Sequence, residues 1–468
     1  MSDDPFPFHR AMDDVLTALR PAFPECVWPV LPSQAGALSL AIQFQLERSQ
    51  WWPPGKLRQT QFGQLALLLR HAHANVPLYR ERWTQCGYRP DATLTEELFA
   101  ALPLLVRADL QQHFDELKAR QVPAAHGAAS EDRTSGSTGT PVIFLKTGLT
   151  YLYWQAATLR EHLWHRRDFS GALAVIRSQS RPGSYAGWGP STDAAFRTGP
   201  SHVLDITTDV DSQLDWLAQK NPDYLLTLAT NAGALAQRSL ERGVKPLRLR
   251  EVRVFGETLP SDLRALVREA WGVPVVDCYS ASEIDYLALQ CPEFEHYHVQ
   301  SEQNLVEVLD EDGRPCAPGQ TGRVVVSTLH NFALPLIRYE IGDYAEVGEP
   351  CPCGRGLPVL RRVLGRSRNM LMLPDGRRLW PSFPSSLWAP LAPLRQLQLV
   401  QHARDRIEAR FVSPRELTAD EAARLIVAFQ QCLTYPFSIA LKRVEAVERT
   451  PGGKYEDFIC RIGAEPLA

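Results

Sequence analysis

No stretch of this chain approaches the about 18 uninterrupted apolar residues that a membrane-crossing helix needs. The first residues, MSDDPFPFHRAMDDVL, carry acids where a secretory leader would carry a basic flank and an apolar centre. Neither a membrane partner nor export is expected, and the expected location is the cytoplasm. Neither sign of charge dominates: the formal net charge is -3, which gives no general attraction to nucleic acid. Cysteines are few and odd in number, nine in 468 residues, which fits reduced thiols or a metal site better than a disulfide framework. Internal repeats and low-complexity segments are absent too. What remains is a chain longer than one core usually supports, with 44% apolar residues to build two or more domains.

A phosphate-binding loop of the Gly-Lys-Ser/Thr kind is also missing. The segment Thr134-Ser135-Gly136-Ser137-Thr138-Gly139-Thr140-Pro141 has the glycines and hydroxyls but no lysine after Gly139. Its glycines let main-chain N–H groups converge, and its hydroxyls add donors around the same point, a composition suited to a polyanion such as the phosphates of a nucleotide. The same composition also serves linkers, so partners elsewhere must decide.

The apolar spacing of residues 57–72 predicts a helix, and NVPLYRERW reads as a turn entering another, so the first hundred residues are expected to be mainly helical. From about 140 onward, short β-rich runs at 172–176, 224–228, 252–255 and 273–279 alternate with helix-like stretches such as SDLRALVREAW. That alternation predicts βα units on a mostly parallel sheet. Residues 304–328 read instead as an antiparallel hairpin or meander closing the large domain. After Gly365-Arg366, the runs LQLVQH and RIEARFV with a helix at ADEAARLIVAFQQCL predict a small α+β domain. The expected organisation is therefore α/β, with a large multi-layer domain over 1–364, a small mobile domain over 365–468 and a hinge near 366–369.

Four further segments follow the glycine-serine loop in order: FGETLP (255–260), CYSASE (278–283), RYEIGD (338–343) and RTPGGKYE (449–456), with GRSRNM (365–370) between the last two. Together with the opening run LLRHAHANVPLYRERWTQCGYRPD, this ordered set resembles the adenylate-forming superfamily, and within it the phenylacetate–CoA ligase-like branch, from about residue 57 to about 460. The resemblance implies an enzyme in which a carboxylate attacks the α-phosphate of ATP, pyrophosphate leaves, and a second nucleophile takes the acyl group from the acyl-adenylate. Both partners of the first step are anions, so donors and positive charge must be aimed at the transition state.

The resemblance also implies roles. Ser135, Gly136, Ser137, Thr138, Gly139 and Thr140 would wrap the β- and γ-phosphates, Tyr279 would pack on adenine, Ser282 would reach the α-phosphate and Glu283 would hold Mg²⁺, for which a carboxylate is an apt hard ligand. Gly256, Glu257 and Thr258 would line the adenine site through main-chain groups, with no catalytic role for the Glu257 side chain. Asp343 would accept the ribose diol and Arg366 would assist at ribose or phosphate. Lys454 is the residue expected to carry adenylation, since the two glycines before it free the backbone for a loop that delivers a flexible cation. Each motif alone has an ordinary structural explanation; their joint order favours the chemical one.

Two departures stand out. Arg368 and Asn369 occupy the hinge where most members have acidic residues, and NMLMLPDGRRLWPS lacks the glycine-containing loop of better-known aryl–CoA ligases, which weakens the CoA-binding half of the resemblance. A second constellation, Cys291, His296, His298, Cys351 and Cys353, has thiolates and imidazoles at spacings that suit a tetrahedral Zn²⁺. Resemblance to branch members with a structural zinc favours Cys291, His298, Cys351 and Cys353. Tyr185, Trp188, Phe255 and Ala281 are the pocket residues expected for an aryl or arylacetic acid. The expected acceptor is CoA, the partners are small molecules, and there is room for a homodimer. Transfer to an amine or a carrier protein, or a nucleotide-binding scaffold without turnover, stay open.

Overall fold

The computed structural model describes residues 17–134, 141–178, 180–450 and 454–462. The chain opens with helices α1 (Gln34–Ser49), α2 (Pro54–Asn75) and α3 (Pro77–Gln85). Pro54 and Pro77 each start their helix, where a missing N–H leaves no hydrogen bond unmade. On α2, Leu57, Gln61, Leu65, Leu68, Leu69 and Ala72 form one buried stripe at helical spacing, which is the periodicity visible in the sequence.

A hairpin of β1 (Ser130–Arg133) and β2 (Ile143–Lys146) leads to α4 (Gly148–Trp164), and then the βα units begin: β3 (Leu173–Ile176), β4 (Gly183–Tyr185), β5 (Ser201–Leu204), α5 (Val210–Lys220), β6 (Tyr224–Leu228), α6 (Ala229–Arg242), β7 (Glu251–Phe255), α7 (Leu263–Trp271) and β8 (Val275–Ala281). Strands β5, β3, β6, β7 and β8 lie side by side and parallel. Beyond β8 the same sheet continues antiparallel through β9 (Asp285–Gln290), β10 (Tyr297–Val299), β14 (Val359–Arg366), β13 (Tyr339–Val347), β12 (Thr321–Thr328) and β11 (Asn304–Leu309), the last at its edge. The expected parallel half and the expected meander are thus two halves of one mixed sheet.

Alternation along β7 shows how the sheet is covered. Val252 and Val254 pack into the core shared with α5, α6 and α7, whereas Arg253 points to the other face and pairs with Glu161 of α4. The small domain is a separate four-stranded sheet in the order β19 (Ser438–Arg443), β18 (Arg406–Val412), β17 (Gln396–Ala403), β20 (Phe458–Cys460), preceded by the short pair β15 (Leu371–Met372) and β16 (Arg378–Leu379). Helix α8 (Ala419–Leu433) closes its core through Leu425, Phe429 and Leu433, against Leu399, Ile407 and Phe458. Thr418 and Glu421 cap each other's backbone at the start of α8, so the predicted helix begins where a capping box allows it.

Two local features place the motif residues. Strand β8 runs on to Ala281, residues 282–284 make a tight turn, and β9 returns antiparallel from Asp285. Asp343 lies within β13. Gly342, at φ +88°, lies where the register between β12 and β13 slips, and β13 continues past this bulge to Val347.

Candidate active site

A cavity of about 750 Å³ opens where the C-terminal end of β8 meets the small domain. The large domain lines it with Gly256, Glu257 and Thr258 after β7, with Tyr279 to Glu283 on the β8–β9 hairpin, with Asp343 at the β13 bulge and with Arg366 at the end of β14. The small domain contributes Thr450 and the run from Lys454 to Phe458. Residues as far apart in sequence as Gly256 and Lys454 therefore share one space, as the ordered motifs led one to expect.

Tyr279 donates its hydroxyl to Asp343 Oδ2 at 2.8 Å, and Arg366 Nε lies 3.4 Å from Asp343 Oδ1, so the aromatic ring, carboxylate and guanidinium form one fixed wall. Burial and the adjacent Asp343 push the Tyr279 phenol well above its usual range, which keeps it a neutral donor. Glu283 is buried beside the Tyr339 hydroxyl, 3.4 Å from its Oε1, and faces the cavity from the turn that also presents Ser282. Of the glycine-serine loop, Ser135, Gly136, Ser137, Thr138, Gly139 and Thr140 lie outside the described residues. Its two ends are described: Thr134 and Val142 exchange hydrogen bonds of 2.9 and 3.0 Å at the base of the β1–β2 hairpin, and Thr134 lines the cavity.

Lys454 enters from the small domain. Its side chain passes Gly256 so closely that a Cβ there would sit 3.4 Å from Lys454 Cε, and Gly256 itself has φ +73°. Burial lowers the ammonium pKa from its ordinary value and Arg366 adds to this, while Asp343, Glu257 and Glu283 act the other way. A partly desolvated cation on a cavity wall is a group prepared for an anionic ligand.

The expected acid pocket is only partly present. Among the described lining residues, Ala281 is the one member of the four candidates; Tyr185, Trp188 and Phe255 are absent from the wall. Trp188 packs in the interior against Phe169 and Tyr224 and donates its indole N–H to the Gly171 carbonyl at 2.9 Å. Tyr185 is exposed, its hydroxyl bound to the Arg181 carbonyl, and Phe255 is packed among core side chains. The aromatic rings that do face the cavity are those of Tyr279, Phe294, Tyr297, Trp380, Tyr455 and Phe458.

The motif reading did not single out Arg107, Thr230 or Asp277, all of which line the cavity. Asp277 was detectable, because it stands two residues before Tyr279 on β8 and so shares its face. It takes the Tyr297 hydroxyl at 2.5 Å, and burial pushes its carboxyl up to about 7. Arg107 comes from the helical opening, with no nearby motif to mark it.

The cysteine-histidine constellation does assemble. Ligand atoms of Cys291, His296, His298 and Cys351 all lie within 4.8 Å of one another. Cys291 Sγ is 3.8 Å from Cys351 Sγ, and His296 Nε2 is 2.9 Å from Cys351 Sγ. Burial, aided by Arg355 and His296, takes the His298 imidazole down to about 3, leaving it in the neutral form that can ligate. The tightest set differs from the expected one in a single member: His296 takes the place of Cys353, whose Sγ lies 3.4 Å from His298 Nε2. His296 and His298 are two residues apart at the start of β10 and project to the same side, a spacing that could have favoured the pair. His296 also lines the large cavity, so the cluster stands behind its wall.

No protein-family model matches the chain. In sequence it is 26% identical over 357 residues to a phenylacetate-coenzyme A ligase of Pseudomonas putida, covering 73% of this chain and 76% of that protein. It is 27% identical over 351 residues to a phenylacetate-coenzyme A ligase of Thermus thermophilus, covering 70% of this chain and 74% of the relative. In structure it is similar to 2-hydroxyisobutyryl-CoA ligase in the postadenylation state with R3-HIB-AMP, at a TM-score of 0.69 and 19% identity over 88% of this chain and 91% of that one. The same ligase in its thioesterification state gives a TM-score of 0.58 at 21% identity over the same shares. The fold is that of the adenylate-forming ligases, in keeping with the resemblance carried by the motifs.

The close approach at Gly256 is directly testable. Gly256→Ala combines a left-handed backbone with a new methyl against the Lys454 side chain, and should lower the unfolding free energy by roughly 1–2 kcal/mol. Denaturant unfolding monitored by far-UV circular dichroism measures this.

Proposed function

We propose that the protein is an AMP-forming ligase that activates an aromatic or arylacetic acid as its acyl-adenylate and transfers the acyl group to CoA. The observation that carries the reading is that Lys454, brought by the small domain, lines the same cavity as Ser282, Glu283 and Asp343 of the large one. In this reading ATP lies with its adenine against Tyr279 and the Gly256–Thr258 backbone and its ribose hydroxyls on Asp343. Its α-phosphate lies between Ser282 and Lys454, and its β- and γ-phosphates reach the 135–140 loop. Glu283 supplies the carboxylate for Mg²⁺, whose role when bound is to neutralise phosphate charge. One acid oxygen attacks the α-phosphorus in line as the bond to pyrophosphate breaks, and Lys454 stabilises the charge shared by the two anions. Rotation of the small domain about a hinge near 366–369 would then withdraw Lys454 and admit the thiol. The acid class and the CoA acceptor rest on the named relatives, and the cavity's aromatic rings are compatible hosts for an aryl group.

We also assign the cysteine-histidine cluster to a structural Zn²⁺ held by Cys291, His296, His298 and Cys351. Two thiolates and two neutral imidazoles within 4.8 Å suit a closed tetrahedral site that pins the loop before β10 to the one before β14.

Exchange of labelled pyrophosphate into ATP, run across a panel of aryl, arylacetic and aliphatic acids, tests the ligase reading. Acid-dependent exchange is expected, and its absence with every acid would favour a scaffold without turnover. Lys454→Ala should keep ATP binding and lose about 10²–10³-fold in exchange rate; a near-normal rate would remove Lys454 from the mechanism. Because the ammonium is the active form and its pKa is lowered, exchange should decline as pH rises through a pKa below that of ordinary lysine, and Lys454→Arg should flatten that limb.

For the metal, protein purified without chelator should contain about one zinc per chain. His296→Ala should lose it and Cys353→Ser should retain it, with a lower melting temperature only in the first. The reverse pattern would restore Cys353 to the ligand set, and a metal-free wild type would dismiss the assignment.

A further inference from the structure

Glu257 was expected to matter through its backbone alone, yet its side chain makes a polar link between the two domains. The residue is half-buried, and desolvation of its carboxylate raises its pKa against the opposing effect of the hydrogen bonds it accepts. Oε2 accepts the Thr230 N–H at 2.9 Å and the Thr230 hydroxyl at 2.8 Å, in the first turn of α6. An acceptor there satisfies a donor that the helix leaves unpaired and meets the positive end of its dipole. Oε1 accepts the main-chain N–H of Tyr455 at 2.7 Å.

Tyr455 is the residue immediately after Lys454. The turn carrying the lysine is closed on itself, with Thr450 N–H donating to the Lys454 carbonyl at 2.8 Å and Lys454 N–H to Thr450 Oγ1 at 3.1 Å. Fixing the Tyr455 amide therefore fixes the root of the Lys454 side chain. Other polar contacts between these parts among the described residues, the Ser261 and Ser382 hydroxyls at 3.2 Å and the Ser385 hydroxyl donating to Asp262 Oδ2 at 2.7 Å, do not involve Lys454 or Tyr455.

We propose that Glu257 is a positioning residue for the adenylation half-reaction: its carboxylate latches the small domain in the orientation that seats Lys454, and lets go when that domain rotates. This rests on the ligase reading above. The two oxygens divide the work. Release breaks only the Oε1 bond, while the Oε2 bonds to Thr230 stay within the large domain, so the latch can open without leaving the carboxylate unpaired. A carboxylate is required because both oxygens must accept. The amide of glutamine has one acceptor and one donor group, and in either orientation its NH₂ would meet an N–H.

The test compares wild type, Glu257→Gln and Glu257→Ala in the two half-reactions separately, with the acid that best supports pyrophosphate exchange in wild type. For Glu257→Gln, kcat of exchange should fall about 10–100-fold, the size expected for one hydrogen bond to a charged group. KM for ATP and the rate of CoA acylation from supplied acyl-adenylate should stay unchanged, and Glu257→Ala should follow the same pattern. Three outcomes would overturn the proposal: wild-type exchange in Glu257→Gln, a raised KM for ATP with unaltered kcat, which marks an adenine-lining role only, or equal loss in both half-reactions. A wild type inactive with every acid would defeat the ligase reading itself, whereas an unaltered variant of an active wild type defeats only the latch.

Discussion

The rest of the structure is arranged around one electrostatic constraint: an ammonium group cannot be held out of water without negative charge around it. Lys454 is half-buried with its ammonium partly desolvated, and the groups that offset this desolvation, Asp343, Glu257 and Glu283, all belong to the other domain. The small domain has a core of its own, but the carboxylates that face its lysine come from the large one. The cavity, and the positive charge inside it, are therefore shared between the two.

The large domain's topology explains why those carboxylates converge. Parallel strands β6, β7 and β8 end together, as parallel strands in open α/β sheets do beside their ligand crevices, which brings Gly256–Thr258 next to Tyr279. At β8 the sheet changes from parallel to antiparallel, and the tight turn into β9 presents Ser282 and Glu283 at that point. The β13 bulge at Gly342 then sets Asp343 within reach of Tyr279, from a strand several positions away in the same sheet. The segment after β14 is joined to the residues that follow Lys454 as well: Arg368 pairs with Glu456, and Asn369 Nδ2 donates to the Phe458 carbonyl at 2.7 Å.

Much of this was legible in the sequence, because the chemistry demands particular residue types and the ordered motifs preserve them. The helical stripe of α2, the βα alternation and the small α+β unit follow from local periodicity, which a short window of sequence contains. Trp188 and Tyr185 were beyond such reading: a ring packed against a core, an exposed ring and a ring lining a cleft have the same local pattern, and only tertiary packing separates them. The Glu257–Tyr455 bond joins residues 198 positions apart, so no spacing could have announced it. His296 lay between these cases, since its two-residue offset from His298 was visible but the choice between it and Cys353 depended on how one loop folds over another.

In the proposed reaction a carboxylate oxygen becomes bonded to the α-phosphorus of ATP inside this cavity. The most direct measurement uses an acid substrate labelled with ¹⁸O in its carboxyl group, with ATP and CoA, and reads the released nucleotide by mass spectrometry. The expected product is AMP carrying one ¹⁸O from the acid in its phosphate, with unlabelled pyrophosphate. Label in inorganic phosphate alongside ADP, or acyl-CoA formed with unlabelled AMP, would contradict it.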